Sequence, residues 1–184
     1  MTAGFFSPLP PARTGIADYA AALLPALRAH GRVEIEPRRA GVNLYHIGNN
    51  RLHAGIYRRA LAEPGVVALH DALLQHLFLG TLAEAAYVEE FVYNYGAWSQ
   101  DLARELWRGR SGSGMRPEYY RCPMLKRLAE RSRAVVVHNP AAARMVREHC
   151  ASTPVVEIPH LWSDSWTGGE AARARECHFG IFGY

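Results

Sequence analysis

The stretch Phe5-Phe6-Ser7-Pro8-Leu9-Pro10-Pro11-Ala12-Arg13-Thr14-Gly15-Ile16-Ala17-Asp18-Tyr19 decides how the chain is read, because it runs from an apolar strand through a tight loop into a helix. After Gly15 the apolar residues Ile16, Tyr19, Ala20, Leu23, Leu24 and Leu27 recur at helical spacing. Thr14 is placed to cap that helix and Gly31 to end it, so the spacing predicts a helix over 15–30. Backbone N–H groups at such a start are unpaired and carry partial positive charge. Phosphate or sugar oxygens can therefore bind at Thr14, Gly15 and Ile16. A turn that merely contains Gly and Pro is the alternative reading, since these are the commonest turn residues. The loop has neither the Gly-Lys-Ser/Thr of a P-loop nor the Gly-x-Gly-x-x-Gly of a dinucleotide site.

Outward from this stretch, strands and helices alternate. Gly4 to Ser7 is the first strand candidate. Val33 to Glu36 alternates as an edge strand does, and Val42 to Ile47 is the next strand. A helix over 51–61 leads through Pro64-Gly65 to the strand Val66 to Leu69. The pattern from Ala72 to about Arg108 is helical, with aromatic-rich turns around Tyr87 to Trp98, and Ser111 to Gly114 reads as a flexible break. Met124 to Arg131 reads as a helix, Ala134 to Val137 as a buried strand, and Asn139-Pro140 as the cap and first residue of another helix. Val155 to Ile158 is the last strand before the character changes. The expected fold is α/β, a Rossmann-like parallel sheet with helices on both faces. Ligands in such sheets bind outside the carboxyl ends of the strands. Four strand ends here carry polar clusters: Ser7 to Gly15, His46 to His53, His70-Asp71 and His138-Asn139.

Composition narrows the classes. A chain of 184 residues fits one domain with a sizeable core, and 49% hydrophobic with 21% charged residues is a soluble globular balance. No apolar run is long enough to span a membrane, and the Pro-rich start lacks a secretory signal. Cys122, Cys150 and Cys177 lack metal-ligand spacing and read as reduced thiols, which points to the cytoplasm. The net charge is only +4, and the arginines are scattered without aromatic interleaving, so nucleic acid is not the expected partner. Weak attraction to an anionic lipid surface remains compatible with this charge.

The candidate chemistry lies on the rim. His70-Asp71 can be a general acid/base with its orienting carboxylate, or a packed histidine bonded to a carbonyl. His46, His53 and His76 raise a metal site, but no His-x-x-x-His with a supporting Glu is present, so none is expected. Asn49, Asn50 and His53 either contact a ligand or form an Asx turn that caps the helix after them. His138 is either a ligand contact or a helix-entry residue. No Gly-x-Ser-x-Gly elbow and no Cys/His signature supplies a hydrolytic nucleophile.

Taken together, Pro10 to Tyr19, Tyr45-His46-Ile47-Gly48-Asn49-Asn50 with His53, Leu69-His70-Asp71, Val136-Val137-His138 and Ile158-Pro159-His160 resemble the amino-terminal half of family 4 (group 1) glycosyltransferases of the GT-B fold. The closing Phe179-Gly180-Ile181-Phe182-Gly183 resembles the first strand and glycine loop of that family's carboxyl-terminal, nucleotide-binding domain. The resemblance implies an acceptor-binding domain over 1–161, a linker over 162–177, and the start of a truncated second domain over 178–184. It implies a retaining, nucleotide-sugar-dependent transfer without metal or other cofactor. His70 would be catalytic beside the transferred sugar. Thr14, Gly15 and Ile16 would approach the donor diphosphate, and Asn49, Asn50, His53, Asp71 and His138 would line the acceptor side.

The partners so implied are a nucleotide-sugar donor and a sugar or lipid-linked acceptor, at the inner face of the membrane or free in the cytoplasm. The exposed terminal strand could pair two copies into a dimer. The family's Glu-x7-Glu donor motif is absent, since no two glutamates stand eight apart, so the fragment alone is expected to be inactive. A free-standing, non-catalytic module with a flavodoxin-like sheet is the rival reading.

Overall fold

A computed structural model describes residues 2–160. The linker expected over 162–177 and the strand expected over 178–184 lie outside the described residues.

Six parallel strands form one sheet: β1 (Thr2–Phe6), β2 (Arg32–Ile35), β3 (Val42–Ile47), β4 (Val66–Leu69), β5 (Ala134–Val137) and β6 (Val155–Glu157). Their spatial order is β2-β1-β3-β4-β5-β6. The chain steps one way from β1 to β2, then crosses back and adds every later strand on the other side. The reversal falls between β1 and β3, where loops diverge and leave a crevice at the carboxyl ends. The central strands are nearly all apolar because helices cover both of their faces, whereas the edge strand β2 carries Arg32 and Glu34.

The pleat divides the core in two. Phe6, Tyr45, Ile47, Val67, Leu69, Val135 and Val137 point to the larger cluster. They meet Ile56 and Tyr57 of α2 (Ala54–Ala62), Leu77 and Phe78 of α3 (Gln75–Thr81), Leu128 of α6 (Lys126–Arg131) and Val146 of α7 (Pro140–His149). On the opposite face Phe5 packs with Ala20 and Leu24 of α1 (Gly15–His30). Register pairs Phe5 with Leu44, Tyr45 with Val67, Val67 with Val135 and Val136 with Val156. A one-residue slip of any of these strands would turn its whole apolar set to the wrong side.

Two local expectations are corrected. The helical stretch after Ala72 is three separate helices, α3, α4 (Glu84–Tyr95) and α5 (Gln100–Arg108), and Tyr87 to Tyr95 lie within α4 rather than in turns. The aromatic residues are core: Tyr87 and Phe91 are fully buried, and the Tyr87 hydroxyl accepts from Gln75 Nε2. Ser111 to Gly114 is not a break but part of a 3-10 turn over Arg110–Met115. Arg110 holds its start, donating to Trp107 O at 2.8 Å with its guanidinium 4.2 Å over the indole ring, and Tyr120 donates to Gly114 O. No helix among the described residues is long and apolar enough to cross a membrane.

Candidate functional site

The loop after β1 delivers α1 to the crevice. Thr14 has extended backbone angles and its Oγ1 accepts from Ala17 N at 3.1 Å, while Thr14 N donates back to Ala12 O. The N–H groups of Gly15 and Ile16 make no hydrogen bond among the described residues. A Cβ added at Gly15 would meet nothing within 4 Å, so the fold itself does not require glycine there. Its missing side chain instead leaves the helix start open to a ligand.

Across the crevice, the β3 end is packed without slack. A Cβ at Gly48 would lie 2.4 Å from Ile16 Cδ1, 3.0 Å from His53 Nε2 and 3.1 Å from Asp71 Oδ2. Asp71 ties this loop down by accepting from Asn49 N at 2.9 Å. The Asn49 side chain is turned inward: Oδ1 accepts from Leu77 N and Nδ2 donates to His76 Nδ1, clamping α3. Asn50 Oδ1 accepts from Leu52 N, an Asx-type cap, and the residue also borders the crevice. His53 is fully buried, with Nδ1 donating to His46 O. Of the acceptor-side residues expected from sequence, Asn50 and Asp71 therefore line the open cavity, whereas Asn49 and His53 are held within the protein. His138 stands beside the cavity as part of a histidine cluster.

That cluster follows from strand parity. His46 alternates with Tyr45 and Ile47, and His70 and His138 each come one residue after an inward-facing apolar residue, so all three project on the α1 side. There Tyr19 meets them, with ring centroids 4.9 Å from His70, 5.4 Å from His138, 5.7 Å from His160 and 5.9 Å from His46. His46 Nδ1 lies 2.9 Å from His70 Nε2, and the rings of His138 and His160 stack at 4.0 Å. His138 Nδ1 donates to Ile158 O at 2.9 Å. Burial pushes His70 down to about 3 and His46 down to about 4, with neighbouring imidazoles adding to each shift. Burial also lowers His138 and His53, while the His138 bond to Ile158 O opposes it. These rings are neutral at pH 7.

A cavity of about 660 Å³ opens here, bordered by Thr14, Gly15, Tyr19, Asn50, His70, Asp71 and His160. Comparison with protein-family models, with curated proteins and with solved structures finds no significant match. The cavity's chemistry must speak for itself. It offers backbone N–H groups at a helix start, the carboxylates of Asp18 and Asp71, the latter fixed by a backbone bond, and the imidazoles of His70 and His160. Such a lining suits an oxygen-rich, hydroxyl-bearing ligand, and the helix start is the part of it that favours an anion. A second cavity, of about 370 Å³ beside Ala3, Leu27, Val42 and Val66, is apolar and lies at the amino ends of the strands. It brings no convergent polar groups together.

Tyr19, His46 and His160 also join the cluster; the sequence raises His46 only for a metal site and gives Tyr19 and His160 no role of their own. Tyr19 reads as one more apolar position of α1, and its helical phase against Ile16 and Ala20 is the only signal that it faces the sheet. For His46 the available signal is parity, since it stands out of phase with the apolar pair Tyr45 and Ile47 that faces the larger core.

Proposed function

We propose that this chain is the acceptor-side half of a nucleotide-sugar-dependent glycosyltransferase that acts with retention of anomeric configuration. The observation that supports this reading most is the placement of the N–H groups of Gly15 and Ile16, unbonded among the described residues, on one cavity with His70 and Asp71, at the point where strand order reverses. On this reading the helix start approaches the diphosphate, and His70 stabilises charge beside the transferred sugar. Asn50 and Asp71 face the acceptor. His46 positions His70 by holding its Nε2.

The test is a transfer assay on the gene product that carries this chain, over a panel of nucleoside diphosphate sugars with glycan, lipid and small-molecule acceptors. Wild type should transfer sugar with retention, and His70→Ala should cut turnover roughly 100-fold while melting as wild type does. A folded His70→Ala protein within a factor of about two of wild type removes His70 from the chemistry. Absence of transfer from every donor overturns the reading and favours the non-catalytic binding module.

A further inference from the structure

The same cluster carries an inference that goes beyond sugar transfer and does not rest on it; a cation on His70 would take the place of that side chain's direct contact with the sugar. His70, His138 and His160 each offer one ring nitrogen, and the three nitrogens all lie within 4.8 Å of one another. They arrive from the ends of three adjacent strands, β4, β5 and β6, and no metal-ligand spacing along the chain groups them. We propose that these three imidazoles form a site for one divalent cation of the zinc class, with its open position towards the cavity that His70 and His160 border.

The hydrogen bond of His138 is that of a metal-binding histidine. Such ligands use one nitrogen for the metal and donate the other N–H to a carbonyl or another acceptor, which fixes the tautomer. His138 does this: Nδ1–H goes to Ile158 O, and Nε2 is left buried with no partner among the described residues. A buried lone pair without a partner is costly, and a cation at that point satisfies it. His70 has Nε2 engaged by His46 Nδ1 and retains Nδ1 for a ligand. His160 is exposed and makes only ring contacts among the described residues, so its ring is free to tilt. Zinc–nitrogen bonds of about 2.0–2.1 Å in a tetrahedral set place ligand nitrogens about 3.4 Å apart, so binding draws in nitrogens that lie within 4.8 Å of one another and turns rings whose planes are now 22° to 36° apart. An all-imidazole set suits zinc and its neighbours and is wrong for magnesium or calcium, which take oxygen ligands.

The test uses the untagged chain, stripped with chelator, titrated with Zn²⁺ alone against a chromophoric competitor. We expect one equivalent bound more tightly than about 10 µM, with His138→Ala and His160→Ala each weakening it roughly 100-fold. His46→Gln, which removes a positioning contact and no ligand, should weaken it about tenfold. His160→Ala alters an exposed side chain and keeps the fold, so its loss of binding is readable by itself. His30→Ala, on the exposed end of α1, should bind as wild type. Affinity weaker than about 10 µM, or tight binding that survives both His138→Ala and His160→Ala, overturns the site. No part of this measurement needs sugar transfer, so failure of the transferase reading leaves it standing.

Discussion

His46 Nδ1 and His70 Nε2 stand 2.9 Å apart, so one imidazole must donate and the other must accept. The contact cannot survive with both rings charged. It links the middle of the sheet to the cavity, because His46 is fully buried while His70 borders the open space.

Acid should weaken the metal-free protein through this pair. The folded-state values of His46 and His70, about 4 and about 3, lie below the ordinary 6.5 because burial penalises the charged ring. Between those values and 6.5 the unfolded chain binds protons that the folded chain excludes, so stability rises with pH in that window and levels off above it. Urea unfolding with chelator present should lose about 1 to 2 kcal/mol through His46 alone on going from about pH 7.5 to about pH 5. His46→Gln should flatten part of the slope. An unchanged midpoint across that range would show that neither ring resists protonation.

Gly48 and Gly15 should respond oppositely to alanine. At Gly48 the new Cβ would press on Ile16, His53 and Asp71, which predicts a loss of about 1 to 3 kcal/mol. At Gly15 it would meet open space at the start of α1, and stability should hold or rise by up to about 1 kcal/mol. Thermal melts of the two variants side by side decide this. Equal melting temperatures would mean that the crevice floor yields freely.

Asn49 is a clamp between the β3 end and α3. Asn49→Ala leaves Leu77 N and His76 Nδ1 without their partner and should cost about 1 to 3 kcal/mol. Denaturant titration measures it. A loss below about 0.5 kcal/mol would show that water replaces the side chain without penalty.

Glu90 and Arg127 test burial against exposure. Glu90 is 7% exposed, and its carboxylate accepts from Arg127 Nε at 2.5 Å and from Asn94 at 3.1 Å. Burial raises the Glu90 carboxyl while Arg127 opposes the rise. Glu90→Ala should cost about 2 to 3 kcal/mol, since it strands a half-buried guanidinium. Asp101→Ala, which removes an exposed partner of Arg104 on α5, should stay within about 0.5 kcal/mol. Comparable losses in the two variants, read from chemical unfolding, would contradict the difference in burial.

Much of this architecture was legible in the residues. Val42 to Ile47, Val66 to Leu69 and Ala134 to Val137 are strands with the bounds their apolar runs predict, and α1 begins and ends where Thr14 and Gly31 indicate. These features are local: a cap, a glycine and an uninterrupted run of β-branched residues carry the information within a few positions. The helices after Ala72 are harder to divide, because Gly96 and the Leu82-Ala83 step interrupt an apolar pattern that continues on both sides. Residues further along the chain hold them in place: Met124 N donates to the Tyr95 hydroxyl, Lys126 N to Asn94 Oδ1, and the Tyr119 hydroxyl to Leu106 O.

By itself, the sequence determined an alternating α/β chain whose polar residues gather at strand ends, since periodicity and capping act over one or two turns. Which of those residues meet was decided only by the tertiary structure. Strand order placed β1 beside β3 and set β4, β5 and β6 side by side, and the pleat then turned His46, His70 and His138 to the face where Tyr19 waits. The same packing folded Asn49 and His53 inward and left Asn50 and Asp71 on the cavity. Residues 24 to 90 positions apart touch only after the strands have paired, and no spacing along the chain encodes that parity.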